Sequence, residues 1–190
     1  MVSLERSFFA KRRSVVAKKM LPNKIEENHI KEILDAGIRV PDHGALNPWK
    51  IKVIIGDKLK FLDEKIILPE FKKLNPNANA NSLELESKRL QRASVVFAVI
   101  STPVDHPKIP KWEMRLSSGA VCMNLLSCAQ SLGYAAQWLT EWYAYNDRML
   151  NYLGGRKDLD KISGFIYVGH KIEEPKERRR PNSSEVISYI

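Results

Sequence analysis

The stretch Gly119-Ala-Val-Cys-Met-Asn-Leu-Leu-Ser-Cys-Ala129 constrains this chain more than any other. It sits inside a run without proline, from about Trp112 to Leu132. Three prolines (Pro103, Pro107, Pro110) precede that run and Gly133 caps it. A surface helix carries one apolar stripe, but the middle of this one is small or apolar almost all round. Such a helix must be covered on every side, by a core or by another subunit.

The rest of the chain supplies the cover. Ile30, Ile33, Leu34, Gly37 and Ile38 have helical spacing over about 26–39, and Pro41 ends that helix by forcing the residue before it out of the α region. Strands are expected at Trp49–Ile55, Ser94–Ser101, Tyr134–Leu139 and Ile162–Val168, about four in all. Helices are expected at 3–11 (opened by Ser3, with Leu4, Phe8 and Phe9 as its stripe), from 57 to 74, at 83–92 and at 147–153. Asn75 to Ser82 reads as an exposed asparagine-rich loop. The last twenty residues read as a polar tail ending in the apolar cluster Val186, Ile187, Tyr189 and Ile190. No repeat or linker divides the 190 residues, so a single domain over 1–190 is expected. Strict βαβαβ alternation is absent, which argues against a doubly wound sheet.

Conventional catalytic apparatus is hard to find. His29, His43, His106 and His170 lack ligand spacing, and Cys122 and Cys128 lie six apart on different faces of one helix. No metal site is expected. There is no Gly-x-Ser-x-Gly, no Gly-x-Gly-x-x-Gly after a strand and no P-loop. Two cysteines make no disulfide framework, and the longest apolar run, Val95–Ile100, is far below the ~20 residues that span a bilayer. A cytoplasmic protein without membrane contact is the expectation.

Charge carries the remaining signal. The chain has 31 basic and 22 acidic residues, net +9. Residues 1–20 hold six Lys/Arg against one Glu, and a second knot is Arg178-Arg179-Arg180. Two such segments suit nucleic acid or a phosphate-bearing ligand. Lys11-Arg12-Arg13-Ser14 follows a short amphipathic helix, where cations complement the helix dipole and where guanidinium forks beside a hydroxyl also suit phosphate oxygens.

Arg12-Arg13-Ser14 and Pro41-Asp42-His43-Gly-Ala-Leu-Asn47-Pro48-Trp49 together resemble the FMN-dependent nitroreductase family, its small single-domain members in particular. The resemblance continues through Lys108-Ile-Pro-Lys-Trp112-Glu113, Gln137-Trp138-Leu139-Thr140, Ile162 to Gly169, and Arg178-Arg179-Arg180-Pro181. It implies an α+β three-layer sandwich, with a mixed, mainly antiparallel sheet flanked by helices. It implies FMN contacts from Arg12, Arg13, Ser14, Arg39 and His43. Trp138, Leu139 and Thr140 would pass close to the isoalloxazine, and Arg178 and Arg180 would close the phosphate pocket. Ala45 stands where larger relatives carry a flavin-contacting Asn. The chemistry would be the cofactor's, with hydride passing from NADH or NADPH through flavin N5 to a nitroaromatic- or quinone-like small-molecule acceptor in a ping-pong cycle. No protein residue would be catalytic. The partner would be a second copy, with FMN at the homodimer interface and Leu125 in a buried surface between subunits. Reductive dehalogenation or flavin breakdown on the same fold remain alternatives. A basic nucleic-acid-binding protein is a third, though the chain carries no motif for it.

Overall fold

β3 (Val95–Ser101) is buried at all seven positions, and its alternation divides the core in two. Val96, Ala98 and Ile100 face a cluster with Leu59, Leu62, Ile67 and Tyr167. Val95, Phe97 and Val99 face another with Ile33, Val121, Leu125 and Ile166. The sheet is thus covered on both faces, giving the three-layer α+β sandwich expected from the sequence.

The computed structural model describes residues 6–190. In chain order the elements are α1 (Arg6–Lys11), β1 (Met20–Leu21), α2 (Glu27–Gly37), β2 (Trp49–Ile55), α3 (Asp57–Leu62), α4 (Leu68–Leu74), α5 (Ala80–Glu86), β3, α6 (Lys111–Ser131), β4 (Ala135–Leu139), α7 (Asp147–Tyr152), β5 (Lys161–Lys171) and α8 (Ser183–Val186). β5 is the hub. It pairs with β3 along one edge and with β4 along the other, and β1 pairs with its last residues. β2 pairs with β3 in continuous register from Trp49↔Ser101 to Ile55↔Val95. Every described pairing is antiparallel. The apolar run of β3 has the look of a parallel strand because helices lie on both faces, not because its neighbours run parallel.

Several boundaries differ from the sequence reading. Among the described residues there are five strands rather than four, the extra one being two residues long. The asparagine-rich loop ends at Asn79, whose side chain accepts from Ser82 N and caps α5. The helix expected over 83–92 breaks after Glu86 and resumes as a 3₁₀ turn at Leu90–Arg92. Between α3 and α4 the chain passes through a π turn at Asp63–Ile67, next to Pro69, which has no N–H to return to the preceding turn. Ser3 and Leu4 of the expected first helix lie outside the described residues.

α6 packs on α2 at very close range. A Cβ built on Gly37 would lie 2.4 Å from Leu125 Cδ2, so any larger residue there would have to displace the Leu125 side chain. Asn124 Nδ2 donates to the Ala36 and Arg39 carbonyls at 3.2 and 2.9 Å, satisfying the end of α2. Leu125 is therefore wholly buried inside its own chain, which corrects the expectation that it lies between subunits. The face of α6 left uncovered carries Trp112, Leu116 and Met123, which are 65, 54 and 37% exposed.

Candidate functional site

The segment after α1 is lashed to the outer edge of β4. Val15 N donates to Ala136 O at 3.2 Å, and Ala17 N donates to Gln137 Oε1 at 2.6 Å. This puts Arg12, Arg13 and the half-buried Ser14 where the chain leaves β5. There Arg13 donates through Nε and Nη2 to Lys176 O at 3.1 and 2.9 Å. Arg180 Nη2 donates to Arg12 O at 3.3 Å. Gln130, in the last turn of α6, clasps the same corner. Its Nε2 donates to Arg13 O at 2.5 Å, and its Oε1 accepts from Arg12 Nη1 at 3.4 Å. The two basic segments at opposite ends of the chain thus form one surface, beside a cavity of about 490 Å³ that Arg12, Arg13, Gln130, Tyr134 and Lys171 help to line.

This corner is short of negative charge. Burial pulls the Arg12 pKa below its ordinary value, and repulsion from Arg180, Arg13 and Arg178 pulls it further. Among the described residues Glu177 is the carboxylate paired with the cluster, at 3.1 Å from Arg180 and 3.8 Å from Arg13. Its carboxyl is held below the usual range, first by the backbone N–H of Arg178, which outweighs the opposing effect of burial, and then by Arg180 and Arg13. Arg12, Arg13, Arg178 and Arg180 outnumber that one carboxylate, a cationic surplus that a phosphate dianion would largely offset.

Trp138 and Leu139 end β4, and Thr140 follows it. Trp138 Nε1 donates to Ser163 O at 3.0 Å, and its ring closely approaches Gly164, where a Cβ would meet Nε1 at 2.0 Å. Trp138 remains 38% exposed, while Leu139 packs on the core and Thr140 is half-buried. This edge leads from the arginine corner toward the first turns of α6.

Arg39 and His43 stand elsewhere. His43 Nδ1 meets Glu113 Oε2 at 2.7 Å in the first turn of α6, whereas Gln130 is in its last. Seventeen residues at 1.5 Å per residue separate those turns by about 25 Å. Arg39 is exposed at the end of α2, and no bond joins it to the arginine corner. One copy of the chain therefore gathers Arg12, Arg13, Arg178 and Arg180 but holds His43 and Arg39 apart from them. The loop carrying His43 has three left-handed residues, Gly44, Ala45 and Asn47. Asp42 Oδ2 holds it by accepting from Asn47 N at 2.7 Å.

Gln130, Glu177 and Gly164 were not singled out from the sequence. Gln130 carried a signal, being a long polar side chain just past the apolar middle of α6. Gly164 carried one too, as a glycine inside an apolar strand, which often marks close approach of another group. Among the described residues no three His, Cys, Asp or Glu side chains are grouped to hold a metal, and no helix is long and apolar enough to cross a membrane.

Helices on both faces of an open antiparallel sheet, with a cationic corner at the edge of β4, define an α+β protein equipped for an anionic ligand. The chain belongs to the nitroreductase family, whose model matches residues 9–170. It is 26% identical over 167 residues to a Haemophilus influenzae protein named "Putative NAD(P)H nitroreductase", covering 85% of this chain and 86% of that one. It is also 26% identical over 144 residues to the Escherichia coli (strain K12) "Putative NAD(P)H nitroreductase YdjA", covering 74% of each. Among solved structures, a nitroreductase-like family protein from Bacillus cereus superposes with a TM-score of 0.84 at 21% identity, covering 100% of this chain and 98% of that one. A nitroreductase with bound FMN from Bacteroides fragilis superposes at 0.67 and 21% identity, covering 97% of each.

Proposed function

We propose that this protein is an FMN-dependent oxidoreductase that passes reducing equivalents from NADH or NADPH to small nitroaromatic- or quinone-like acceptors. The observation that carries the reading is the meeting of Arg12, Arg13, Arg178 and Arg180, from both ends of the chain, at one charge-deficient corner. Family membership and the NAD(P)H nitroreductase names of its relatives support it. The residues present fit the group. The arginines and Ser14 would hold the phosphate, and Trp138, Leu139 and Thr140 would line the ring along the β4 edge. When bound, FMN would supply the hydride chemistry, leaving the protein to bind, orient and exclude water.

The reading includes a homodimer. The uncovered stripe of Trp112, Leu116 and Met123 runs along α6 at helical spacing, with the small Gly119 and Ala120 between them. An exposed apolar face of this length calls for a partner. A two-fold pairing of α6 against its copy would bring the His43 end of one chain beside the Arg12 end of the other, giving Arg39 and His43 a route to the same flavin.

A visible spectrum of the purified protein tests the cofactor, and heat denaturation should release FMN into the filtrate. A colourless preparation that also fails to take up added FMN would sink the proposal. If NAD(P)+ must leave before the acceptor enters, double-reciprocal plots will be parallel. Intersecting lines would instead indicate a separate acceptor site.

A further inference from the structure

The residue after Thr140 is in a conformation that side chains rarely adopt. Glu141 has φ 44° and ψ 175°, close to the region populated almost solely by glycine. Such strain persists only where the surroundings impose it. Here the surroundings are identifiable. Glu141 Oε2 lies 3.0 Å from Arg89 Nη1, and its Oε1 accepts from Arg92 Nη2 at 3.0 Å. All three side chains are less than a fifth exposed.

The grip continues outward on both sides. Arg89 also pairs with the buried Glu86 at 2.5 Å, and Glu86 Oε2 accepts from the indole N–H of Trp142 at 3.0 Å. Arg92 Nε donates to Arg89 O at 2.7 Å, and its guanidinium lies over the Tyr167 ring of β5. The segment from Glu86 to Arg92 therefore clamps both Glu141 and Trp142, the two residues that follow Thr140. Nothing in the reading of a phosphate corner or an apolar dimer face accounts for this clamp.

We infer that Glu141 is a positioning residue: its carboxylate, held by Arg89 and Arg92, fixes a strained backbone turn that aims Trp138, Leu139 and Thr140 at the ligand. The inference rests on the proposed flavin site for what the segment faces, but not for the strain or the clamp. Two substitutions separate the backbone role from the charge role. Glu141→Gln keeps the β-carbon, and with it the strain, but removes the ionic grip, so the turn relaxes and the segment moves. Glu141→Gly also loses the grip, yet glycine adopts the turn without strain.

The test titrates FMN and riboflavin into flavin-free wild type, Glu141→Gln and Glu141→Gly, and records the bound-flavin spectrum. Glu141→Gln should weaken both flavins about tenfold and shift the spectrum, because the contact affected is with the ring. Glu141→Gly should stay within about threefold of wild type. Wild-type affinity in Glu141→Gln, or equal losses in both variants, would overturn the assignment. A second measurement needs no flavin. Apo Glu141→Gly should melt about 2–4 °C above apo Glu141→Ala, because alanine retains the strain and glycine does not. The reverse order overturns the inference even if wild type binds no flavin, an outcome that would by itself count against the proposed function.

Discussion

Arg180 donates from Nη2 to the backbone carbonyl of Arg12 at 3.3 Å, joining residues 168 apart in sequence. The acceptor is a neutral carbonyl, so this contact joins the two segments without cancelling charge. Arg180 Nε also meets Glu177 Oε1 at 3.1 Å, but that one carboxylate is shared with Arg13 and leaves the corner cationic.

That arrangement makes the phosphate the expected discriminator between flavins. Wild type should bind FMN at least tenfold more tightly than riboflavin, since each charge-assisted hydrogen bond contributes roughly 1.5–3 kcal/mol and a decade of affinity is about 1.4 kcal/mol. Arg12→Ala should narrow that gap while leaving riboflavin affinity unchanged. Fluorescence titration of both flavins checks it. If Arg12→Ala instead spares both flavins and lowers only salt-dependent binding to DNA or RNA, the arginines face nucleic acid.

The two leucines of α6 separate the core from the dimer face. Leu116 is 54% exposed and Leu125 is fully buried against Gly37. Leu116→Glu should give a folded, monomeric protein that has lost flavin. Leu125→Glu should give insoluble protein, since an unpaired charge in a core is among the costliest of substitutions. Sedimentation velocity decides the first case, and a dimeric, yellow Leu116→Glu would show that this stripe is not the contact.

Trp138 offers a contrast with the arginines. Gly164→Ala would drive a methyl group into the indole and break its bond to Ser163 O. Overpacking of this kind costs about 1–3 kcal/mol. The melting temperature should fall by several degrees and tryptophan emission should shift. FMN and riboflavin should weaken together, because the displaced group serves the ring rather than the phosphate. A loss confined to FMN would place Trp138 at the wrong end of the ligand.

How far the sequence could be read follows from what each element depends on. α6 and β2 were legible because prolines, glycines and period mark them locally, and the arginine segments because guanidinium clusters are rare. The break after Glu86 was not, since Ser87 and Lys88 are compatible with helix and the buried acceptor at Asp63 decides where the chain turns. Leu125 illustrates a second limit. A helix apolar all round shows no face, so which side meets α2 depends on Gly37, a residue 88 positions away. Glu141 illustrates a third, because nothing in a glutamate signals a left-handed backbone. Strain becomes visible only when Arg89 and Arg92 are in place around it.

Asp63 itself gives the last prediction. It is fully buried, and its carboxyl accepts from Leu90 N at 2.9 Å, Gln91 N at 3.2 Å and Gln91 Nε2 at 3.0 Å. Burial pushes its pKa above the usual carboxylate range, and these donors, with Arg92, only partly offset that. The folded protein therefore holds this proton more tightly than the unfolded chain, whose Asp titrates near 4. The stability linked to that proton is complete below about pH 4 and declines as pH rises through the folded value. Asp63→Asn cannot titrate, and it forfeits an acceptor while presenting two donors to a site already supplied with donors. It should be less stable than wild type at every pH, with the largest deficit near pH 4 and a smaller, constant one above the folded value. Paired melting curves from pH 4 to 8 test this. A deficit that grows with pH would mean that the donors of Leu90 and Gln91 outweigh burial and hold Asp63 ionised.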